Sequence, residues 1–375
     1  MPKDEQPDPF TGRSFDMLQP NQGAQAPAES PFADTGGRNR SLNYDYLRVF
    51  AMFMVILNHI ADPYLWGFDP PVQSVYIYEG ISHCAVPLFL MLTGAFVISK
   101  AGTVSPREFY LHSAKKLGIP LLIIASLYYV YDVVFHGADF SYIRDTLLTG
   151  FYGVYAHWYV AMLAVIYAFI PLVALIRKSV PYEKYEKAAV IVFVWLTVGH
   201  YYEYGWTTWS LSNLYYMGYV LIGDVLATRF RDRKNNVAGA LLAVLGIAAL
   251  ACNHWIVYTA MISGNEPLYN LFNNYYSAPL IVLGSILVFI GFSVMEIKRS
   301  ISFVARASYT VFLIHKLIIT ILLEHTSVLQ IVEQCLNDNV ILYIPGNVIV
   351  LFLISFAFSI AFDFLLDKTV CRKKK

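Results

Sequence analysis

The sequence predicts an all-α fold: a polytopic transmembrane helical bundle of about ten spans, each long enough to cross a bilayer, with both termini cytoplasmic. Three observations predict it. Hydrophobic residues make up 57% of the 375 and charged residues 14%, against about 25% charged in a soluble chain, and the mean hydropathy is +0.51. Apolar runs of bilayer-spanning length recur from Leu42 onward. Lys and Arg gather in alternate loops, although the chain as a whole carries a net charge of only +1. A water-facing surface cannot be built from this composition, which excludes a soluble enzyme or a disordered regulator. The charge balance removes the case for a nucleic-acid binder.

Residues 1–40 are rich in Pro, Gly, Gln, Asp and Ser. They cannot bury a core and are expected to form a disordered cytoplasmic tail. No basic start followed by a short apolar run and a cleavage site is visible, so the first span is expected to act as its own insertion signal. The transmembrane domain is expected over 41–367, and a basic cytoplasmic tail over 368–375. The spans fall at 42–61, 81–99, 117–135, 156–176, 188–202, 211–227, 237–258, 276–295, 303–323 and 341–365. They are read as helices because lipid offers no partner to a backbone N–H or C=O, and no strand-like alternation supports a barrel.

Orientation follows from the loops. One set holds Lys100, Arg107, Lys115 and Lys116, then Arg177, Lys178, Lys184 and Lys187, then Arg229, Arg231, Arg233 and Lys234, then Lys298 and Arg299. The other holds only Arg144. The positive-inside rule puts the first set, the N-terminus and the CRKKK ending in the cytoplasm. The four cysteines form no CxxC and no metal spacing, so neither a disulfide framework nor a metal site is expected.

Ionisable residues inside spans are costly and are functional candidates by default. The first span, YDYLRVFAMFMVILNHI, carries Arg48 and His59. Eleven residues at about 100° each bring them back to one face, separated by roughly 16 Å of helix rise. A neutral buried imidazole suits a general base. The plainer alternative is an arginine that reaches the interface and a histidine that bonds a neighbouring helix. Asn58 sits beside His59. Asp45 lies three residues before Arg48, where it can pair with the guanidinium or simply complement the helix dipole. His315 and Ser308 share a face of the ninth span, with Lys316 next in line. His157 opens the fourth span beside Trp158 and Tyr159, placed either for substrate or for an interfacial aromatic belt. Glu79 and His83, on the outer side, either line an acceptor site or are solvated loop residues, the plainer reading, and Asp224 and Arg306 read as boundary residues.

The first span's LR-x10-H resembles the signature of bacterial acyltransferase family 3, integral-membrane O-acyltransferases that modify carbohydrates. AVPLFLMLTGAFV (85–97) is similar to that family's V-P-L-F-F-x-x-S-G segment, with Thr93 where serine is usual. EFYLHSAKKLGIPLL (108–122), HWYVAML (157–163) and SYTVFLIHKLI (308–318) resemble three further segments in family order. The arginine pair usual before the third span is not intact: Lys115 and Lys116 are present, and the first arginine position falls near His112 or Ser113.

The resemblance implies acyl transfer, with His59 and Arg48 as the catalytic pair. His59 would act as general base or as acyl acceptor, and Arg48 would hold a donor phosphate. Lys115 and Lys116 would bind the donor, or else only anchor the span. His315, Ser308 and His157 would contact substrate, with Asp45 and Asn58 in support. The implied donor is acetyl-CoA or another acyl-CoA, with no metal. The implied partners are the lipid bilayer and a carbohydrate acceptor, a polysaccharide or lipid-linked glycan, with no nucleic acid. The implied location is the bacterial inner membrane. The rival from another class is a secondary transporter or channel, which the polar residues within spans would serve equally well.

Overall fold

The computed structural model describes residues 42–65, 72–139, 141, 158–202 and 213–369. The expected tail over 1–40, Arg144, His157 and the CRKKK ending lie outside the described residues. Among the described residues there is no strand.

Among the described residues, ten principal helices overlap the ten apolar runs. They are α1 (Leu42–Leu65), α2 (Gln73–Ala101), α3 (Pro106–His136), α4 (Trp158–Ser179), α5 (Tyr182–Tyr202), α6 (Met217–Arg229), α7 (Asn236–Ser263), α8 (Pro279–Val294), α9 (Ser308–His325) and α10 (Val340–Thr369). Six of them (α2, α3, α4, α7, α9 and α10) are long and apolar enough to cross a membrane. α8 is apolar but has only 16 residues. α6 has 13, which at about 1.5 Å per residue reaches roughly 20 Å, short of a bilayer's hydrocarbon thickness.

Local chemistry sets the helix ends. Before α3, the Ser105 hydroxyl accepts from the Glu108 N–H at 3.2 Å while Glu108 Oε2 accepts from the Ser105 N–H at 3.1 Å. That reciprocal pair satisfies two end donors. Gly137 ends α3 at φ +67° and Gly264 ends α7 at φ +66°, a left-handed geometry that glycine adopts without a Cβ penalty. α2 is interrupted at His83 and Cys84. Pro87 is the cause: it has no N–H to give to the His83 carbonyl four residues back.

Two apolar cores share α1. Tyr44, Leu47 and Ala51 pack with α2, α4, α6 and α8. Met52, Ile56 and Ile60 pack with α3, α9 and α10. The first span is therefore the axis of the bundle, and Arg48 and His59 both lie within protein contacts. Glycines let helices approach closely. A Cβ at Gly94 would run into the Val220 backbone, and one at Gly223 into that of Met91, so α6 lies directly against α2. Leu122, Ile191, Trp195, Val237 and Leu365, by contrast, stand exposed on outer helices, as side chains facing lipid do.

Candidate functional site

The site forms where α1, α2, α4 and α9 meet. A cavity of about 40 Å³ is lined by Asn58 and His59 of α1, Ser82, His83 and Val86 of α2, Trp158 and Tyr159 of α4, Phe312 of α9, and Tyr276 ahead of α8. A space of this size admits water or the reacting end of a substrate. The interruption of α2 lies at this cavity. Pro87 thus breaks the helix at the turn whose side chains, Ser82 and His83, form the wall.

His59 is half-buried, and its ring lies 5.1 Å from that of His315, tilted by 31°. His315 Nδ1 is 2.6 Å from the Phe312 carbonyl. A carbonyl can only accept, so Nδ1 donates, which fixes the tautomer and the ring plane. Asn58 Nδ2 donates to Glu79 Oε1 at 2.8 Å and to Ser82 Oγ at 3.2 Å. The residue beside His59 therefore ties α1 to the interrupted turn of α2.

Behind that wall lies a second imidazole pair. The His83 ring stands 4.8 Å from that of His254 on α7. His83 Nδ1 donates to the Glu79 backbone carbonyl at 2.7 Å and lies 3.7 Å from Glu79 Oε1. Asn253 Nδ2 donates to His254 Nδ1 at 3.4 Å and to the Phe272 carbonyl at 2.9 Å. Glu79, His83 and His254 are all buried. The loop reading of Glu79 and His83 is thus corrected. The helix begins at Gln73, eight residues before the apolar run at 81, and its first turns pack on α7: a Cβ at Gly80 would sit 2.6 Å from the Leu250 carbonyl oxygen. The sequence reading singled out neither His254 nor Asn253. The i,i+4 spacing of Glu79 and His83 was the available signal, because it sets both on one helical face.

At the other end of α1, Arg48 Nη1 reaches Asp45 Oδ1 at 3.4 Å, and its guanidinium lies 5.1 Å over the Phe96 ring. Ser302 Oγ donates to Asp45 Oδ2 at 2.9 Å. Asp45 therefore does pair with the guanidinium, and it also ties α1 to the segment before α9. Arg48 does not line the cavity beside His59; the side chains on the α1 face between them, Met52 and Val55, are buried.

The remaining candidates separate. Ser308 is buried and donates to the Ala305 carbonyl at 2.7 Å, two turns from His315 and outside the cavity lining. Lys115 and Lys116 are exposed on a widened turn of α3. His157 lies outside the described residues, although its neighbours Trp158 and Tyr159 both line the cavity. Asp224 is corrected from a boundary residue to a buried one, paired with Arg177 at 2.7 Å. Arg306 is exposed. Among the described residues no group of three or more His, Cys, Asp or Glu could hold a metal ion.

Chemically, the cavity joins imidazole and hydroxyl groups with an aromatic rim. Trp158 and Tyr276 lie 6.2 Å apart and near parallel at 27°. Imidazoles move protons or carry acyl groups. A family model described as an acyltransferase domain matches residues 41–366. No curated protein and no solved structure matches the chain.

Proposed function

The chain belongs to acyltransferase family 3, and from that premise we propose that it transfers a short acyl group, acetyl from acetyl-CoA, to a hydroxyl of a cell-surface or exported carbohydrate. It is a multi-pass membrane transferase; the proposal adds the donor, the acceptor and a bacterial inner-membrane location with both termini in the cytoplasm.

One observation carries the reading. The histidine that the family resemblance singles out lines a cavity inside the bundle, with Asn58, Ser82 and His83 beside it in the wall. The His59 ring packs on that of His315 at the cavity edge. It acts there as general base on the acceptor hydroxyl or as the group that first takes the acyl. Arg48, with Lys115 and Lys116 on the same side of the membrane, holds the phosphates of the donor by charge-assisted bonds. Asp45 and Phe96 keep the guanidinium in place. His315 and the aromatic rim approach the acceptor, and Asn58 braces the wall between. Because Arg48 lies outside the cavity lining and Met52, on the α1 face between it and His59, is buried, the thioester arm reaches His59 only when that packing parts, a helix motion of the kind that gates many enzymes.

The test is genetic and chemical. Surface glycans are analysed by mass spectrometry from cells with the gene, without it, and complemented by wild type or by His59→Ala. The expected result is an O-acyl ester that disappears on deletion and returns only with wild type. An ester fully restored by His59→Ala contradicts the assignment.

A further inference from the structure

His59 and His83 face the same cavity from different helices, but their surroundings differ. His59 has His315 against its ring and Lys316 as its next ionisable neighbour. No carboxyl group among the described residues hydrogen-bonds to it. His83 has the Glu79 carboxyl 3.7 Å from Nδ1, and the exposed Asp62 is near enough to act on it electrostatically. Its Nδ1–H is committed to the Glu79 carbonyl, so Nε2 is the nitrogen that keeps a lone pair. Glu79 is buried, Asn58 occupies its Oε1, and its Oε2 has no hydrogen-bond partner among the described residues. The backbone bond orients the ring and leaves Nε2 as the basic nitrogen, and the Glu79 carboxyl lies beside the ring without hydrogen-bonding to it, where it can stabilise a proton taken up there.

We propose that His83, not His59, is the proton-accepting base toward the acceptor hydroxyl, with Glu79 as its positioning residue, and that His59 carries the acyl group. This rests on the acyl-transfer reading and divides the work within its site. In the first step a His59 ring nitrogen bonds to the thioester carbonyl carbon and the C–S bond breaks. The proton lost from the imidazole goes to the leaving thiolate, giving free CoA and an acyl-imidazole. In the second step the acceptor oxygen bonds to the same carbon and the N–C bond breaks. The hydroxyl proton passes to His83 Nε2 and then to the released His59 ring. Both histidines end neutral, and one ester and one thiol are formed.

The experiment needs no knowledge of the natural acceptor. Full-length protein in detergent is mixed with acetyl-CoA, and CoA thiol release is followed with water as the acceptor. Wild type is expected to give a burst of one CoA per protein followed by slow turnover. His83→Gln is expected to keep the burst and to lose about 100-fold in the slow phase, the usual scale for a missing general base. Hydroxylamine, a nucleophile that needs no base, is expected to restore that turnover. Glu79→Gln is expected to lose about tenfold in the slow phase, with the burst intact, as a positioning residue does. The proposal is overturned if the slow phase of His83→Gln stays within a few-fold of wild type, if its burst disappears while the protein remains folded by thermal melting, or if hydroxylamine fails to rescue it. A full burst in His59→Ala overturns the underlying acyl-transfer assignment instead, so the two failures are distinguishable.

Discussion

Arg48 and His59 sit toward opposite ends of α1 on one face, and their surroundings differ. At one end Arg48 is half-buried and braced by specific partners. Asp45 pairs with it, Ser302 bonds to Asp45, and Phe96 lies beneath the guanidinium. At the other end His59 borders an opening whose remaining walls come from three other principal helices. The contrast suggests a division between binding and chemistry. An arginine fixed by a carboxylate and an aromatic face is a preset anion clamp that loses little freedom on binding. An imidazole at a water-sized cavity has room for a reacting group. The spacing of eleven residues could show a shared face; it could not show which end is open, because that depends on Pro87 interrupting a different helix.

Three substitutions sharpen or break this comparison. Arg48→Ala removes the clamp and should raise KM for acetyl-CoA about 10- to 100-fold, the value of one or two charge-assisted hydrogen bonds. Steady-state kinetics in membranes would read it, and a kcat loss without a KM change would end the division of labour. Ser302→Ala leaves the guanidinium but loosens Asp45, and it should raise KM about threefold with kcat unchanged, a single net hydrogen bond. An effect as large as that of Arg48→Ala would mean the clamp lies in the loop before α9. The smallest change is expected from the double substitution Lys115→Ala, Lys116→Ala. Both side chains are exposed, so KM should rise about twofold at low salt and the difference should fade as ionic strength increases. A large, salt-insensitive loss would place the donor against α3 rather than Arg48.

Much of the fold was readable because lipid imposes a simple rule. Each apolar run marked a helix, and helical periodicity set Arg48 and His59 on one face of the first. The meeting of His59 with His315 was not readable, since it joins the first and ninth spans and no local pattern encodes that contact. Glu79 and His83 were misread for a related reason. Hydropathy begins at 81, whereas the helix begins at Gln73, because its polar first turns are sheltered by α7 and not by lipid. Asp224 failed in the same way: α6 is enclosed by α2 and α5, and its carboxylate meets Arg177 instead of a boundary. In each case burial against a distant helix replaced the water that the sequence suggested. The same property makes these residues chemically interesting, since a buried polar group is retained only with a specific partner.

The most direct test of the central claim is the transfer of radiolabelled acetyl from acetyl-CoA to carbohydrate in isolated membranes holding equal amounts of wild-type and His59→Ala protein. The account predicts that wild type forms a base-labile labelled ester and that His59→Ala forms it at least about 1,000-fold more slowly. Equal rates from the two proteins would contradict it.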